Sequence, residues 1–422
     1  CTNFLAKQEL KGLELRGIDY LRKKLDQRRV RVLVRYNQYE MKYMDRQVGL
    51  TIPPKLRQQY KATLGWCAKA VDSLADRLVF REFAEDNFDL MEIFKMNNPD
   101  VLFDSAILSA LISSCCFIYI SPGEDDMPRL QVIDGANATG VIDEITGLMY
   151  EGYAVLSRDD NGRPELEAYF EPNRTTYYLN GKIDDVTEHK VEFSLLVPIV
   201  HRPDALRPFG RSRITRSAMY YQAYAKRTLE RADITAEFYS WPQKYVVGTD
   251  PDREPLDKWK ATISSMLVFD KDDVGDRPTL GQFSQPSMSP FTEQLRTAAA
   301  GFAGETGLTL DDLGFVSDNP SSSEAIKASH ETLRVMAKKA QRCFGSGFLN
   351  VGFVAACLRD DFPYTRSQFY LTTPKWAPVF EPDASTLSLM GDGAIKVNTA
   401  IPGYFDGEAF YDLTGIKGTD NG

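Results

Sequence analysis

Residues 208–240 read PFGRSRITRSAMYYQAYAKRTLERADITAEFYS, and residues 321–347 read SSSEAIKASHETLRVMAKKAQRCFGSG. The first stretch has no Pro or Gly after Gly210 and is filled with Ala, Arg, Leu, Glu, Tyr and Met. Trp241-Pro242 stops it, because the residue before a proline is pushed out of the helical region. It predicts a helix from Arg211 to about Tyr239. The second stretch opens with Ser321 and Glu324 at capping-box spacing. Ile326, His330, Leu333, Ala337, Ala340 and Phe344 then recur at alternating steps of four and three, while Lys327, Arg334 and Lys338 share another face. That pattern is a long amphipathic helix with a basic side, and it extends past Gly345 and Gly347 to Leu358. Between the two stretches come a strand at 243–248, a short helix at 256–266, a strand at 267–269 and an acidic turn at 270–276. This module of about 40 residues is too small to bury a core alone. A second helix begins near Pro290 and Thr292-Glu293 and ends near Gly304. Residues 307–320 form a loop with one helical turn.

Outward from this centre, residues 5–46 read as a strongly basic helix, and Thr51-Ile52-Pro53-Pro54 breaks it. Residues 55–79 place Leu64, Ala68, Val71, Leu74 and Leu78 on one helical side. Residues 88–115 give one or two helices around Asn97-Asn98-Pro99, leading into a strand at 116–121. The period then changes to two. Strands are expected at 129–133, 139–143, 149–157, 166–171, 175–179 and 192–199, punctuated by Pro122-Gly123, Asp134-Gly135, Asp160-Asn161-Gly162 and Asn180-Gly181. Together they read as one antiparallel meander. Beyond the long helix, 366–371 reads as a strand-like return and Trp376-Ala377-Pro378 as a break. A helix at 383–397, a turn at 400–403 and a short helical end at 407–415 follow. The fold class is α+β, with no internal repeat.

The chain of 422 residues carries a net charge of −9, so no global basic signature for nucleic acid exists. Such a role would need a local patch, or would work by geometry. Cys1, Cys67, Cys115, Cys116, Cys343 and Cys357 form no C-x-x-C pair and read as the reduced thiols of a cytosolic protein. The longest apolar run, Ala106 to Ile120, is interrupted by Ser109, Ser113 and Ser114 and falls short of the roughly 20 residues of a membrane span. No signal peptide is read. The chain begins at Cys1 rather than Met, so the numbering is expected to start after a missing N-terminus. His189, His201 and His330 are far apart in sequence and offer no metal cluster. No phosphate-binding loop, nucleophile elbow or HExxH occurs. Gly345-Ser346-Gly347 lacks a third glycine and a preceding strand. Asp270, Asp272, Asp273, Asp311 and Asp312 read as solvated turn acids. The expectation is no catalytic residue, no metal and no cofactor.

The order of elements resembles the portal proteins of tailed double-stranded DNA phages. Val197-Pro198-Ile199-Val200 followed by Pro208-Phe209-Gly210-Arg211-Ser212 is similar to that family's entry into its first stem helix. Thr292-Glu293-Gln294-Leu295-Arg296, Gly307-Leu308-Thr309 and Ser321-Ser322-Ser323-Glu324-Ala325-Ile326-Lys327 resemble its second stem helix, tunnel loop and long wing helix. Pro382-Asp383 and Ile401-Pro402-Gly403 resemble the segment near its crown. The resemblance implies a protomer divided into a wing of helices and antiparallel strands (1–209), stem helix one (210–241), a small α/β clip (242–283), stem helix two (284–306), a tunnel loop (307–320), the long wing helix with its return strand (321–381) and a crown-proximal segment (382–422). It implies a ring, usually of twelve subunits, at one capsid vertex of the virion, assembled in the host cytoplasm, with no enzyme activity of its own. Double-stranded DNA would pass through it during packaging and ejection, and it would meet the terminase large subunit, a head-tail adaptor, and the major capsid and scaffold proteins, with no membrane. By the same resemblance, Phe315, Val316, Ser317, Asp318 and Asn319 would line the channel. Lys327, Arg334 and Lys338 would face DNA or pair with a neighbour's acids. Trp241, Tyr245, Trp259 and Phe269 would anchor clip contacts. The other readings are a different phage head-tail structural protein, which would lack this element order, and an α+β enzyme without a recognisable motif, which turnover or a bound cofactor would reveal.

Overall fold

The computed structural model of the protein describes residues 15–42, 60–123, 126–240, 244–247, 279–282, 287–315, 328–380 and 382–416. Its centre is the apolar run singled out above. Pro99 sits in the first turn of a helix, where its missing N–H costs nothing; this helix spans Pro99–Ser113. Leu102, Phe103, Ala106, Ile107, Ala110, Leu111 and Ile112 leave it apolar almost all round, so it is buried almost all round. Ser113 then donates its hydroxyl to the Ser109 and Cys115 carbonyls, and Ser114 turns the chain with φ 94° into a strand, Cys115–Ser121, buried from Cys115 to Ile120.

In chain order the elements are α1 (Ile18–Tyr39), α2 (Trp66–Ala75), β1 (Phe80–Ala84), α3 (Leu90–Lys95), α4 (Pro99–Ser113), β2 (Cys115–Ser121), β3 (Arg129–Ile133), β4 (Ala138–Ile142), β5 (Met149–Arg158), β6 (Pro164–Glu171), β7 (Arg174–Leu179), β8 (Lys182–Glu188), β9 (Leu196–Val200), α5 (Arg216–Ser240), β10 (Lys244–Val247), β11 (Thr279–Gln282), α6 (Ser289–Thr306), α7 (Glu331–Arg359), β12 (Thr373–Trp376), α8 (Ala384–Ala400) and α9 (Gly407–Thr414). The mixed helical and antiparallel class is as expected. The expected single meander is instead two sheets. β2 lies between β3 and β9, with Phe117 opposite both Ile133 and Pro198. β4 to β8 form a separate five-stranded meander in sequence order. Strand β8 was not anticipated: Lys182–Glu188 is polar, nearly every side chain is exposed, and a strand with no buried face shows no alternation. β9 begins at Leu196, four residues later than expected, because Ser194 bonds back to Met149 and Gly152 leaves room for Leu196.

α1 covers one face of the meander. Leu21 and Leu25 pack on Tyr153, Val155 and Tyr169 in a second, smaller core. Gly17 has no side chain with which to cap α1; the Glu151 carboxylate does so from β5, accepting the Arg16 and Gly17 amides. Arg22 forks onto Glu167 at 3.0 and 2.9 Å, and Tyr153 donates to the same carboxylate. The second helix is shorter than the expected 55–79, with residues 60–65 unwound before Trp66.

Helix α7 is amphipathic at first, with Leu333, Ala337, Ala340 and Phe344 buried, and buried on nearly every side from Phe344 to Cys357. Its glycines explain how. A Cβ on Gly345 would meet Pro374, and one on Gly347 would meet Ile199, in each case inside 3.0 Å. Gly345-Ser346-Gly347 is therefore a close approach of α7 to β12 and β9. His330 stands in a turn before Glu331, and the Ser321 capping box lies outside the described residues. Residues 366–369 form a 3-10 turn capped reciprocally by Thr365 and Gln368, not the expected strand. The strand is β12, antiparallel to β1, and it includes Trp376, which had read as a break. Trp376 stays extended because its ring stacks edge-on against Phe80, 5.2 Å away.

Candidate functional site

The feature that sets this fold apart is the hairpin of α5 and α6, gripped at one end and bare at the other. Helix α5 starts at Arg216, five residues later than its composition suggests. The chain ahead of it is tied to neighbouring backbone. Gly210 has φ 67°, and the Arg211 amide donates to the His201 carbonyl at 2.8 Å. The Arg213 amide donates to Leu111, and the Ser212 hydroxyl to Ile112 at 2.6 Å. Thr215 is the effective cap, accepting the Ala218 amide at 3.1 Å while donating to Glu305 at the end of α6.

The socket is built around Arg213, 5% exposed and with no carboxylate within 4.0 Å among the described residues. Its guanidinium donates to the Ala70 carbonyl in α2 and the Thr306 carbonyl at the C-terminus of α6, and Nη1 lies 3.0 Å from the Met336 sulfur in α7. A cation at the C-terminal end of a helix meets carbonyls that no amide satisfies. Burial, and secondarily Arg202, lowers its pKa to about 10, so it stays charged at neutral pH. Gln222 accepts the Cys67 amide at 2.6 Å and donates to Gln38 at 2.9 Å, linking α5 to α2 and α1. Trp66 packs on Phe302 at 5.5 Å, and the Tyr221 ring lies over Gly301, where a Cβ would intrude well inside 3.0 Å. His201, 2% exposed, bonds the Arg211 carbonyl through Nδ1 at 2.7 Å and stacks on Phe344; burial lowers its pKa to about 4.

Away from the socket the burial stops. No described side chain is buried in α5 over 231–237 or in α6 over 289–297, whereas Ala218, Gln222, Ala225, Thr228, Ala298, Ala299, Phe302 and Ala303 are buried. At 1.5 Å per residue the twelve residues after Thr228 carry the hairpin roughly 18 Å from the body. β10 and β11 pair antiparallel beyond it, Lys244 opposite Gln282 and Val247 opposite Thr279. β11 was not read from the sequence.

After α6 the chain returns to the body. Gly307, φ 67°, ends the helix and Leu308 is buried. Thr309 and Asp312 bond reciprocally at the 3-10 turn that follows: the Asp312 carboxylate accepts from the Thr309 amide and hydroxyl at 2.9 Å, and the Asp312 amide donates to the Thr309 hydroxyl oxygen at 3.1 Å. Leu310, Leu313 and Phe315 are half-buried against the main core. Of the expected channel residues, then, Phe315 packs on the body, while Val316, Ser317, Asp318, Asn319 and Lys327 lie outside the described residues. Arg334 forks onto Glu331 of its own helix at 2.7 and 2.6 Å, and Lys338 is exposed one turn further on. Trp241, Trp259 and Phe269 are outside the described residues; Tyr245 is described only as part of β10. Arg213, Gln222 and the pair of Tyr221 with Gly301 escaped sequence reading, since nothing in the local pattern separates them from surface residues of an amphipathic helix.

Among the described residues no group of His, Cys, Asp or Glu side chains has the arrangement of a metal site, and no helix is long and apolar enough to cross a membrane. The site consists, among the described residues, of a socket, a projecting pair of helices, and surfaces of opposite charge described below.

No protein-family profile matches the chain. It is similar to the portal protein of Mycobacterium phage D29, 25% identical over 333 residues, covering 74% of this chain and 68% of that one. The portal protein of Mycobacterium phage L5 is 24% identical over the same span and coverage. Among solved structures, one from the virion of a native gene transfer agent particle is 13% identical, with a TM-score of 0.46 over 91% of this chain and 99% of that one. The neck of the native particle, computed with C12 symmetry, is also 13% identical, with a TM-score of 0.47 over 86% and 93%.

Proposed function

We propose that the chain is a portal subunit, and that copies of it close into a ring around a channel for double-stranded DNA. The observation that carries this reading is the hairpin: two helices locked to the body by Arg213, Gln222 and the Tyr221–Gly301 contact, then with no described side chain buried for several turns. A helix pair with no described side chain buried over its outer half is expected to gain partners from neighbouring copies. Similarity to two phage portal proteins over 74% of the chain supports the same reading.

In this reading 210–241 and 284–306 form the stem, 242–283 the clip that meets the terminase large subunit and later the head-tail adaptor, and the loop ending at Pro320 points toward the axis. Asp318 repeated around that axis would repel phosphates and keep the duplex centred. The acidic balance of −9 fits a conduit, because a wall that neutralised many phosphates would hold DNA instead of letting it slide. The energy for packaging comes from the terminase.

Purified protein imaged by negative-stain electron microscopy, with light scattering on the same sample, tests this. Rings with a central hole are expected. A stable monomer at high concentration and physiological salt, with and without scaffold protein, refutes it.

A further inference from the structure

Two surfaces of this chain are opposite in charge, similar in character and without ion-pair partners among the described residues, although Arg35 also donates to the Ser113 carbonyl at 3.4 Å. The first lies on α1 and the loop before α5. Val30 is 67% exposed on the outward side of α1 and Val34 follows one turn later; Leu33 is also exposed. Arg31 and Arg35, at the adjoining helical positions, flank this pair. Arg31, Arg207 and Arg216 crowd Arg35, whose pKa is lowered by burial first and by those like charges after it. Arg28 rests on the Phe209 ring at 4.5 Å, and Arg29 keeps a buried Nε without a partner. Other arginines of the surface carry a carboxylate, Arg22 with Glu167, Arg211 with Asp204, Arg334 with Glu331 and Arg359 with Asp360. Arg28, Arg31, Arg35, Arg207 and Arg216 have no carboxylate within 4.0 Å among the described residues. An acidic protein that gathers unmatched arginines beside exposed valines has built a face for a carboxylate-bearing partner; Arg is the cation best suited to bidentate carboxylate pairing at an interface.

The second surface is the outer edge of the five-stranded meander. β8 ends the sheet, and its unpaired edge is a ready template for other chains unless something covers it. Ile183, 63% exposed, stands opposite Tyr178, and Val186 opposite Thr176, on the sheet face that α1 covers only further inward. Around them Asp184, Asp185 and Glu188 are exposed and form no ion pair among the described residues, and Asp159, Asp160 and Glu165 lie on the neighbouring hairpin, tied to the β7–β8 turn by the bond from the Asn180 amide to the Glu165 carbonyl.

We infer that the arginine face of one copy receives the acidic β8 edge of the next copy, Val30 and Val34 packing on Ile183 and Val186 while Arg31 and Arg35 meet Asp184, Asp185 and Glu188. Because the two surfaces are different parts of one chain, the contact is head-to-tail and repeats around a closed ring. The inference rests on the ring reading above and names the contact that would build it. A nucleic-acid backbone is the other chemistry that unmatched arginines attract. The exposed valines beside them, and an acidic edge with its own exposed aliphatic residues, favour protein.

The test is a charge exchange. Arg31→Glu with Arg35→Glu should raise the concentration for half-maximal ring assembly by at least about tenfold, equivalent to about 1.4 kcal/mol, with unchanged circular dichroism. Asp184→Arg with Asp185→Arg should do the same. Mixing the two variants should give only mixed contacts, and combining all four substitutions in one chain should restore assembly to within a few-fold of the original. Wild-type rings accompanied by undisturbed rings in both double variants overturn the inference. So does a loss of assembly in both that the combined chain fails to restore, or normal rings that have lost only salt-sensitive binding of a short duplex. If the wild-type chain itself forms no ring, it is the portal reading that has failed.

Discussion

Replacing Gly301 by Ala, with Gly304→Ala as its control, tests the packing of the hairpin directly. Both glycines lie in α6, and in an exposed helix an Ala for Gly is worth up to about 1 kcal/mol, somewhat less in the last turn where Gly304 sits. A Cβ on Gly304 meets nothing within 4 Å, so Gly304→Ala should stabilise α6 by about 0.5–1 kcal/mol. At Gly301 the same methyl lands 2.4 Å from two Tyr221 ring carbons and 2.9 Å from a third. Overpacking of that kind costs about 1–3 kcal/mol, and the ring cannot simply swing outward, because its helix is held by Gln222 and Arg213 on either side. The net expectation for Gly301→Ala is destabilisation of the hairpin by about 1 kcal/mol, opposite in sign to its neighbour. A whole-chain melting curve would blunt this, since in a chain of this size 1 kcal/mol moves the midpoint by only about 1 °C. Amide hydrogen exchange in α5 and α6 reads it locally, as roughly fivefold faster exchange for Gly301→Ala and slower exchange for Gly304→Ala. Tyr221→Ala combined with Gly301→Ala should remove the clash and show a coupling of about 1–3 kcal/mol. Equal protection gained by the two alanine variants would mean that Tyr221 does not lie over Gly301 and that the socket is wrongly drawn.

Two further outcomes follow from buried charge. His201 is neutral in the fold with a pKa of about 4 against an ordinary 6.5. Its contribution is therefore complete above pH 6.5 and lost as pH falls toward 4, by about 3 kcal/mol in total; denaturant titrations between pH 7 and 4 should show this slope, flattened in His201→Asn. Arg213→Met leaves the Thr306 carbonyl without its donor and should lower the unfolding free energy by about 1–3 kcal/mol in urea titration, with α6 amides exchanging faster than those of the five-stranded sheet.

What the sequence made legible was whatever has a period. The run from Ala106 to Ile120, the steps from Leu333 to Phe344 and the alternation of the meander all report a face turned to the core, and a face is a local property. What stayed hidden depends on distant partners. β8 has no buried face, so only its pairing with β7 identifies it. Arg213 looks like any residue near a helix start; its importance comes from carbonyls at 70 and 306. Likewise the split into two sheets is decided by β9 pairing with β2, across the whole meander. The start of α5 was misplaced for a related reason: residues 211–214 have good helical composition but better hydrogen-bonding partners on α4 and at His201.

The place of α4 and β2 at the centre of the core has a consequence for synthesis. Their apolar surfaces are closed by β9 and then by α7, with Phe344 and Phe348 in the same cluster as Phe103 and Phe117. On a ribosome β9 emerges about 75 residues after β2 but α7 more than about 200 residues after it, which at roughly 5–20 residues per second is a delay of roughly ten to forty seconds before the core is closed. Through that interval the nascent chain carries its stickiest segment without the cover of α7. The chain from α4 through β2 should accordingly recruit a holding chaperone, and a chain truncated before α7 should aggregate rather than linger as a folded fragment.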